Sequence, residues 1–289
     1  MHFVRHILPL GLILLCLMAS INASAQRGVL WQVDSGQRRP SFVLGTVHSD
    51  DPRILNLPAP IKSRFNQAGS FSAELSMDMS NLIQAQQLML LPNGRLLLDV
   101  IGNARYQQCV RLMAERGMPE RLVQQMKPWA IAAQLSLPNL KTGVFLDMML
   151  YQEASRAGKP VYGLETIQEQ IYVFDGMSEQ QQIRFLDDTI VHVGDIPEMI
   201  RRIIRFYLAR DLNGLKEYSD TVMAQGAAGR MADFQKRLVV DRNRRMVERM
   251  QPRLIEGNAF IAVGALHLPG EQGILRLLEN RGYRVKAIY

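Results

Sequence analysis

The sequence predicts an α/β fold: a central mixed sheet built from the N- and C-terminal parts of the chain, carrying a large helical insertion or cap. Three observations lead there. Short β-branched and aromatic runs gather near both ends and once near residue 161. The text between about 79 and 256 is otherwise mostly of helical period. The run Phe260-Ile-Ala-Val263 is continuously apolar, as expected of a strand covered on both faces, where a half-exposed strand would alternate.

Taken in order, strands are expected at 29–33, 42–46, 70–75, 161–164, 260–265 and 283–288. Phe145, Leu146, Met149, Leu150, Ala154 and Ala157 recur at helical spacing, and Gly158-Lys159-Pro160 stops that helix before the fourth strand. Pro92-Asn93-Gly94, Leu137-Pro138 and Asp195-Ile196-Pro197 mark turns among the helices. A single helix is expected over 228–256, with Met231, Phe234, Leu238, Met246 and Met250 on its inward stripe. No linker rich in Gly, Ser or Pro interrupts the chain, so residues 26–289 read as one domain with a cap at about 79–256.

Composition narrows the class. The 289 residues are 47% hydrophobic and 21% charged, enough for a large core and unlike a disordered, collagen-like or coiled-coil chain. The net charge of +7 is dispersed without a Lys/Arg block, which argues against a nucleic-acid partner. Residues 1–6 carry Arg5 and no acid, 7–18 are almost wholly apolar, and Ala23-Ser24-Ala25 supplies small residues, so 1–25 read as a secretory signal cut before Gln26. No later stretch reaches about 20 apolar residues, so no transmembrane anchor is expected after cleavage. Cys16 follows Leu15, where a lipidated cysteine would follow a small residue. Removing Arg5 leaves 33 basic residues against 27 acids, or +6, and Cys109 as the single Cys. An exported chain without a possible internal disulfide fits a bacterial periplasm or secretion, with Cys109 as a small core residue.

Two strand ends look alike. Phe42-Val-Leu-Gly45-Thr-Val-His48 closes the second, and Ile261-Ala-Val-Gly264-Ala-Leu-His267 closes the fifth. Each reads apolar strand, Gly, two residues, His, which puts an imidazole just past the C-terminal end of a strand, where open α/β sheets build their sites. Ser70-Phe-Ser-Ala-Glu74 ends the third strand with a carboxylate. His48, His192 and His267 are the only His beyond residue 26, so two of three share one local pattern. Two imidazoles and a carboxylate are the set that holds a divalent ion while leaving a position for water. The alternative is that each His satisfies a local loop hydrogen bond.

Arg242 continues the four-residue spacing between Leu238 and Met246, and Asn243 follows the row of Val239. An inward guanidinium needs a carboxylate or an oxyanion; otherwise its stem packs while its head reaches water. Glu165, ending Val161-Tyr-Gly-Leu-Glu165, is either a second acid of the site or the cap of the next helix. His192 is read as structural, Arg201, Arg202 and Arg205 as a solvated helix face, and the methionines at 77, 79, 148 and 149 as packing.

Leu44-Gly-Thr-Val-His48, the Glu74 strand, Gly163-Leu-Glu165, Arg242-Asn243 and Val263-Gly-Ala-Leu-His267-Leu-Pro-Gly270 together resemble the TraB/GumN family, in order and over nearly the whole chain after the signal. That family is related to the Tiki proteins, proposed metalloproteases with paired G-x-x-H motifs and a Glu. It is also similar to the erythromycin esterases and a group of haem-binding lipoproteins. The resemblance implies that His48, Glu74 and His267 bind a divalent metal ion (Mn, Co or Zn), in an exported hydrolase acting on a peptide or protein. In that reading Glu74 ligates the ion or takes a proton from water, Glu165 is the base if Glu74 is a ligand, and Arg242 with Asn243 steadies the oxyanion. Two alternatives keep the same residues: a metal-independent esterase with His48 as general base, and a periplasmic haem- or metal-binding protein without turnover.

Overall fold

The computed structural model describes residues 27–36, 38–140, 142–226 and 232–289. The expected signal segment, Cys16 and Met231 lie outside the described residues. The six expected strands all form: β1 (Leu30–Asp34), β2 (Ser41–Thr46), β3 (Ser70–Ala73), β4 (Val161–Gly163), β5 (Ala259–Gly264) and β6 (Arg284–Ala287). They make one sheet in the order β4-β3-β5-β2-β1-β6.

The sheet is mixed. β4, β3, β5 and β2 run parallel, whereas β1 is antiparallel to both β2 and β6. β5 sits in the middle, and Ala259 through Val263 are each no more than 1% exposed, which accounts for their continuous apolar run. This order positions the site. β2 and β5 flank each other in register with Thr46 opposite Gly264, and β3 pairs on the other side of β5 with Ala73 opposite Ala262. Parallel neighbours end at the same edge of a sheet, so the residues after β2, β3 and β5 are delivered together although they span over two hundred positions of sequence.

Two cores hold the chain. One wraps the sheet, where Phe65 meets Phe71 and Phe260 edge-on at 5.8 and 5.3 Å and the helices Leu146–Arg156 and Asp241–Glu256 close over the strands. The other is helical, built around Trp129, Leu97, Ile131 and Leu135, with Trp129 stacked on Phe174 at 5.4 Å. Cys109 lies fully buried in the second core, and burial pushes its thiol up to about 12, so it is inert packing. Among the described residues no helix is long and apolar enough to cross a membrane.

The structure corrects two expectations. The expected helix runs unbroken over its described part, 232–256, but it is not regular: a π-helical turn at Lys236–Val240 interrupts its period. The wider turn admits an extra residue and resets the inward face. Phe234 therefore joins the helical core, whereas Met246 and Met250 join the sheet core. The second concerns the methionines: Met79 is 70% exposed, at the start of a helix, Met79–Leu88, that buries none of its residues fully.

Candidate active site

The two glycines of the G-x-x-H segments are required by close approach. A Cβ on Gly45 would lie 2.9 Å from Leu268 Cδ1 and 3.1 Å from Ala265 Cα, so the turn that carries His267 rests directly on β2. A Cβ on Gly264 would lie 3.1 Å from Glu74 Oε1, the atom to which the Gly264 N–H donates at 2.6 Å. Gly45→Val is expected to lower stability by about 1–3 kcal/mol, the range for forcing atoms into a packed contact. Gly194→Ala, where an added Cβ meets nothing within 4 Å, should leave the urea midpoint unchanged. Equal midpoints for the two variants would contradict this account of the motif.

Glu74 is the hub. Its Oε1 accepts from Gly264 and stands 3.6 Å from His267 Nε2; its Oε2 accepts from Arg242 Nη2 at 2.6 Å and from Gln170 at 3.4 Å. Burial alone would raise this carboxyl. The charges of His267 and Arg242, the Gly264 N–H and the charge of His48 outweigh it and hold the group at about 2.

His267 lies in the turn Ala265–His267, 7% exposed. Its Nδ1 is 2.6 Å from Asn243 Oδ1, while Asn243 Nδ2 donates to the Gln272 carbonyl at 2.7 Å. A carbonyl can only accept, which fixes the amide with Oδ1 toward the ring and assigns the ring proton to Nδ1. Burial, aided by Arg242 and opposed by Glu74, pushes the imidazole down to about 4. At neutral pH His267 therefore presents an Nε2 lone pair beside a carboxylate oxygen: two acceptors face each other.

Arg242 is inward and paired, as its spacing requires. It donates to Glu165 Oε2 through Nε at 2.8 Å and Nη2 at 2.6 Å, and the two carboxylates raise its pKa against the effect of burial. The Glu165 side chain has no exposure, and its Oε1 accepts from Arg245 at 3.0 Å. Glu165 does not cap the following helix. Thr166 does so, in a reciprocal capping box with Glu169, which in turn binds Arg249.

His48 stands at the open side of this network. Its side chain is 55% exposed, its ring lies 4.6 Å from Phe145, and its Nε2 is 3.8 Å from Asp147 Oδ2. Glu74 and His267 thus stand 3.6 Å apart, whereas His48 stands beside Asp147. Among the described residues no three His, Cys, Asp or Glu side chains draw together into a formed metal cage.

Asp147 escaped the sequence reading. It is 5% exposed, its Oδ1 accepts from Thr46 Oγ1 at 2.6 Å, and its Oδ2 has no hydrogen-bond partner among the described residues. Burial raises its pKa, with Glu74 adding to the rise and His48 and Thr46 opposing it. Its signal was weak: Asp147 lies three residues before Leu150, beside the buried row Leu146, Leu150, Ala154. The other sequence candidates are ordinary. His192 ends the helix Glu179–His192 with Nδ1 on the Asp188 carbonyl, and Arg201, Arg202 and Arg205 share Glu198 on an exposed face. A separate cavity of about 1010 Å³ among the helices is lined by His192, Glu198, Arg202 and Tyr218, and none of the residues around Glu74 borders it.

The model of the TraB/PrgY/gumN family matches residues 29–287. The chain is 27% identical over 302 residues to Metalloprotease TIKI1 of Danio rerio, covering 86% of this chain and 60% of that protein. It is 25% identical over 300 residues to Metalloprotease TIKI1 of Homo sapiens, covering 86% and 59%. It is 23% identical over 245 residues to the uncharacterized protein YbaP of Shigella flexneri, covering 83% and 88%. The chain thus spans about 60% of the length of those two TIKI proteins. No solved structure matches.

Proposed function

Because the chain belongs to the TraB/PrgY/gumN family, we propose that it is an exported metal-dependent hydrolase that cleaves a peptide or protein substrate. Distant relatives named as metalloproteases support the reaction class. The observation that carries the reading is geometric: His267 Nδ1 is turned to Asn243 Oδ1 and its Nε2 lies 3.6 Å from Glu74 Oε1, in surroundings whose burial favours the neutral ring. Two acceptors left facing each other fit a cation between them, and the unpartnered Asp147 Oδ2 beside His48 fits the same chemistry. Donors of this type, imidazole and carboxylate, suit manganese, cobalt or zinc. His48, Glu74 and His267 would hold the ion, which when bound polarises a carbonyl and lowers the pKa of water.

The remaining roles follow from contacts. Asn243, fully buried and bonded to His267 and Gln272, fixes the tautomer that leaves Nε2 available; it is a positioning residue, with no direct part in steadying the oxyanion. Glu165 has both oxygens on guanidiniums and no exposure, so it positions Arg242 instead of taking a proton. Glu74, 19% exposed, is the carboxylate that reaches a substrate. Arg242 holds a permanent charge beside it, where a developing oxyanion is stabilised.

The test is direct. His48→Ala and His267→Ala are each expected to remove bound divalent metal and to reduce peptide hydrolysis roughly a hundredfold or more. Normal turnover by either variant would overturn the proposal, as would full activity of protein shown to be metal-free.

A further inference from the structure

We infer that the edge of the sheet opposite the candidate site is a docking surface for an anionic lipid bilayer. The inference does not depend on the reaction proposed above.

β2, β3, β4 and β5 are parallel, so their starts share one edge as their ends share the other. The six residues of β2 separate the two edges by about 20 Å, at roughly 3.3 Å per residue. Hydrogen bonds tie the segments at the starting edge into one belt. Asn258 donates its backbone N–H to the Arg39 carbonyl and its side-chain amide to the Gln67 carbonyl, and the Gly69 N–H donates to the Asn258 carbonyl. Lys159 Nζ donates to the carbonyls of Asn66 and Ala68.

The belt is cationic. Arg38 and Arg39, just before β2, are exposed, as are Arg64 in the helix Ala59–Gln67 and Arg156 at the end of Leu146–Arg156; Lys159, before β4, is half-buried. None of the five is bonded to a carboxylate among the described residues. The Arg64 guanidinium lies 5.1 Å over the Phe42 ring, Arg156 reaches Gln152 at 3.5 Å, and Lys159 is taken up by carbonyls. Acids at this edge do little to offset them. Asp34 and Glu256 are bonded to Arg284 and Arg253, which leaves Glu153, one turn before Arg156. In the sequence these cations are scattered between 38 and 159; the fold gathers them on one side, where their fields add.

Apolar side chains stand beside the cations, and they select the partner. Ile255 is 63% exposed at the end of the helix Asp241–Glu256, two residues before Gly257, where a Cβ would lie 2.8 Å from Arg38 Cβ. Tyr162, the second residue of β4 and 38% exposed, lies under the Arg253 guanidinium at 4.2 Å. A soluble polyanion such as heparin offers charge alone. The headgroup layer of an anionic bilayer takes up a cation together with an adjoining apolar or aromatic side chain. Docked by this edge, the protein presents Glu74 and His267, at the other ends of the strands, to water.

The experiment is cosedimentation with vesicles of phosphatidylcholine, with or without phosphatidylglycerol. It uses the chain from Gln26, which holds both cores, so that the apolar run at 7–18 adds no binding of its own. Binding is expected to the anionic vesicles only, and to be lost at about 0.5 M salt. Arg38→Gln with Arg39→Gln should weaken it roughly twentyfold, about fivefold for each cation. Arg201→Gln with Arg202→Gln removes the same charge from a helix whose Tyr207 donates to the Gly45 carbonyl, toward the other edge, and should leave binding within about twofold. Ile255→Ser is expected to weaken vesicle binding roughly fivefold while leaving retention on heparin unchanged. All five side chains are exposed, so each variant should keep the wild-type Tm. A wild type that ignores anionic vesicles would overturn the inference. Equal losses in the two arginine pairs would assign the effect to net charge instead of this edge, again against it. Unaltered vesicle binding by Ile255→Ser, with heparin bound as tightly as vesicles, would make a soluble polyanion the partner.

Discussion

Arg242→Leu is expected to destabilise the fold by about 3 kcal/mol or more, more than any other single substitution among these charged groups. Breaking a buried ion pair from one side typically costs about 3–5 kcal/mol, because the partner is left charged in a place that water does not reach. The Glu165 side chain has no exposure and Arg242 only 11%, so this pair is of that kind. Arg242 also holds Glu74 Oε2, and its removal strands a second carboxylate. Arg245 continues to donate to Glu165 Oε1 but is itself 30% exposed and more weakly placed, which puts the expectation toward the lower end of the range. The double variant Arg242→Leu with Glu165→Leu should recover much of the loss, since an apolar pair of similar bulk avoids desolvation on both sides. Urea denaturation of the two variants reads this directly. A loss below about 1 kcal/mol for the single variant would mean that the guanidinium head is solvated, the ordinary behaviour of a surface arginine.

What the sequence made legible, and what it did not, follows from the range of the interactions. The paired G-x-x-H segments were readable because a Gly followed by a His at a strand end is a local pattern, and the structure gives both glycines the same reason: another part of the site leans on the backbone there. That β2, β5 and β3 are neighbours was not legible, since pairing between strands so far apart leaves no local trace. Arg242 could be flagged because it interrupts an apolar row, and it proved to be paired. Asp147 breaks no such row: it lies beside the unbroken one of Leu146, Leu150 and Ala154, three residues before Leu150, and so gave no comparable signal. The π-helical turn at Lys236–Val240 was invisible because one extra residue in a turn shifts the period by less than the scatter of the pattern itself. Met79 was misjudged for a different reason. Hydrophobicity marks what tends to be buried, and a helix that buries none of its residues fully is not distinguished by composition from one that does.

Lowering the pH from 6.5 to about 4 is expected to remove about 3 kcal/mol of stability through His267 alone. Its imidazole is held at about 4 in the folded protein, against 6.5 for an unperturbed ring. Above 6.5 both folded and unfolded chains carry a neutral ring and the group contributes nothing to the pH slope. Below 6.5 the unfolded chain takes up a proton that the folded chain refuses, so the unfolded state gains until the folded pKa is reached. At 1.36 kcal/mol per unit, a window of this width gives the figure of about 3. Asp147, whose carboxyl is raised by burial, favours the folded state as it takes up a proton and so works against this loss, in the wild type and in a His267 variant alike. Glu74 and Glu169, each held at about 2 against an ordinary 4.5, begin to weaken the fold only as the pH drops below 4.5. The diagnostic interval is therefore 6.5 to 4.5, where His267→Gln should flatten the urea-derived stability profile relative to the wild type. Identical slopes for the two proteins there would show that the folded protein protonates His267 as readily as the unfolded chain does. An imidazolium at that position would direct a donor at Glu74 in place of a lone pair, and the basis for a cation between them would be gone.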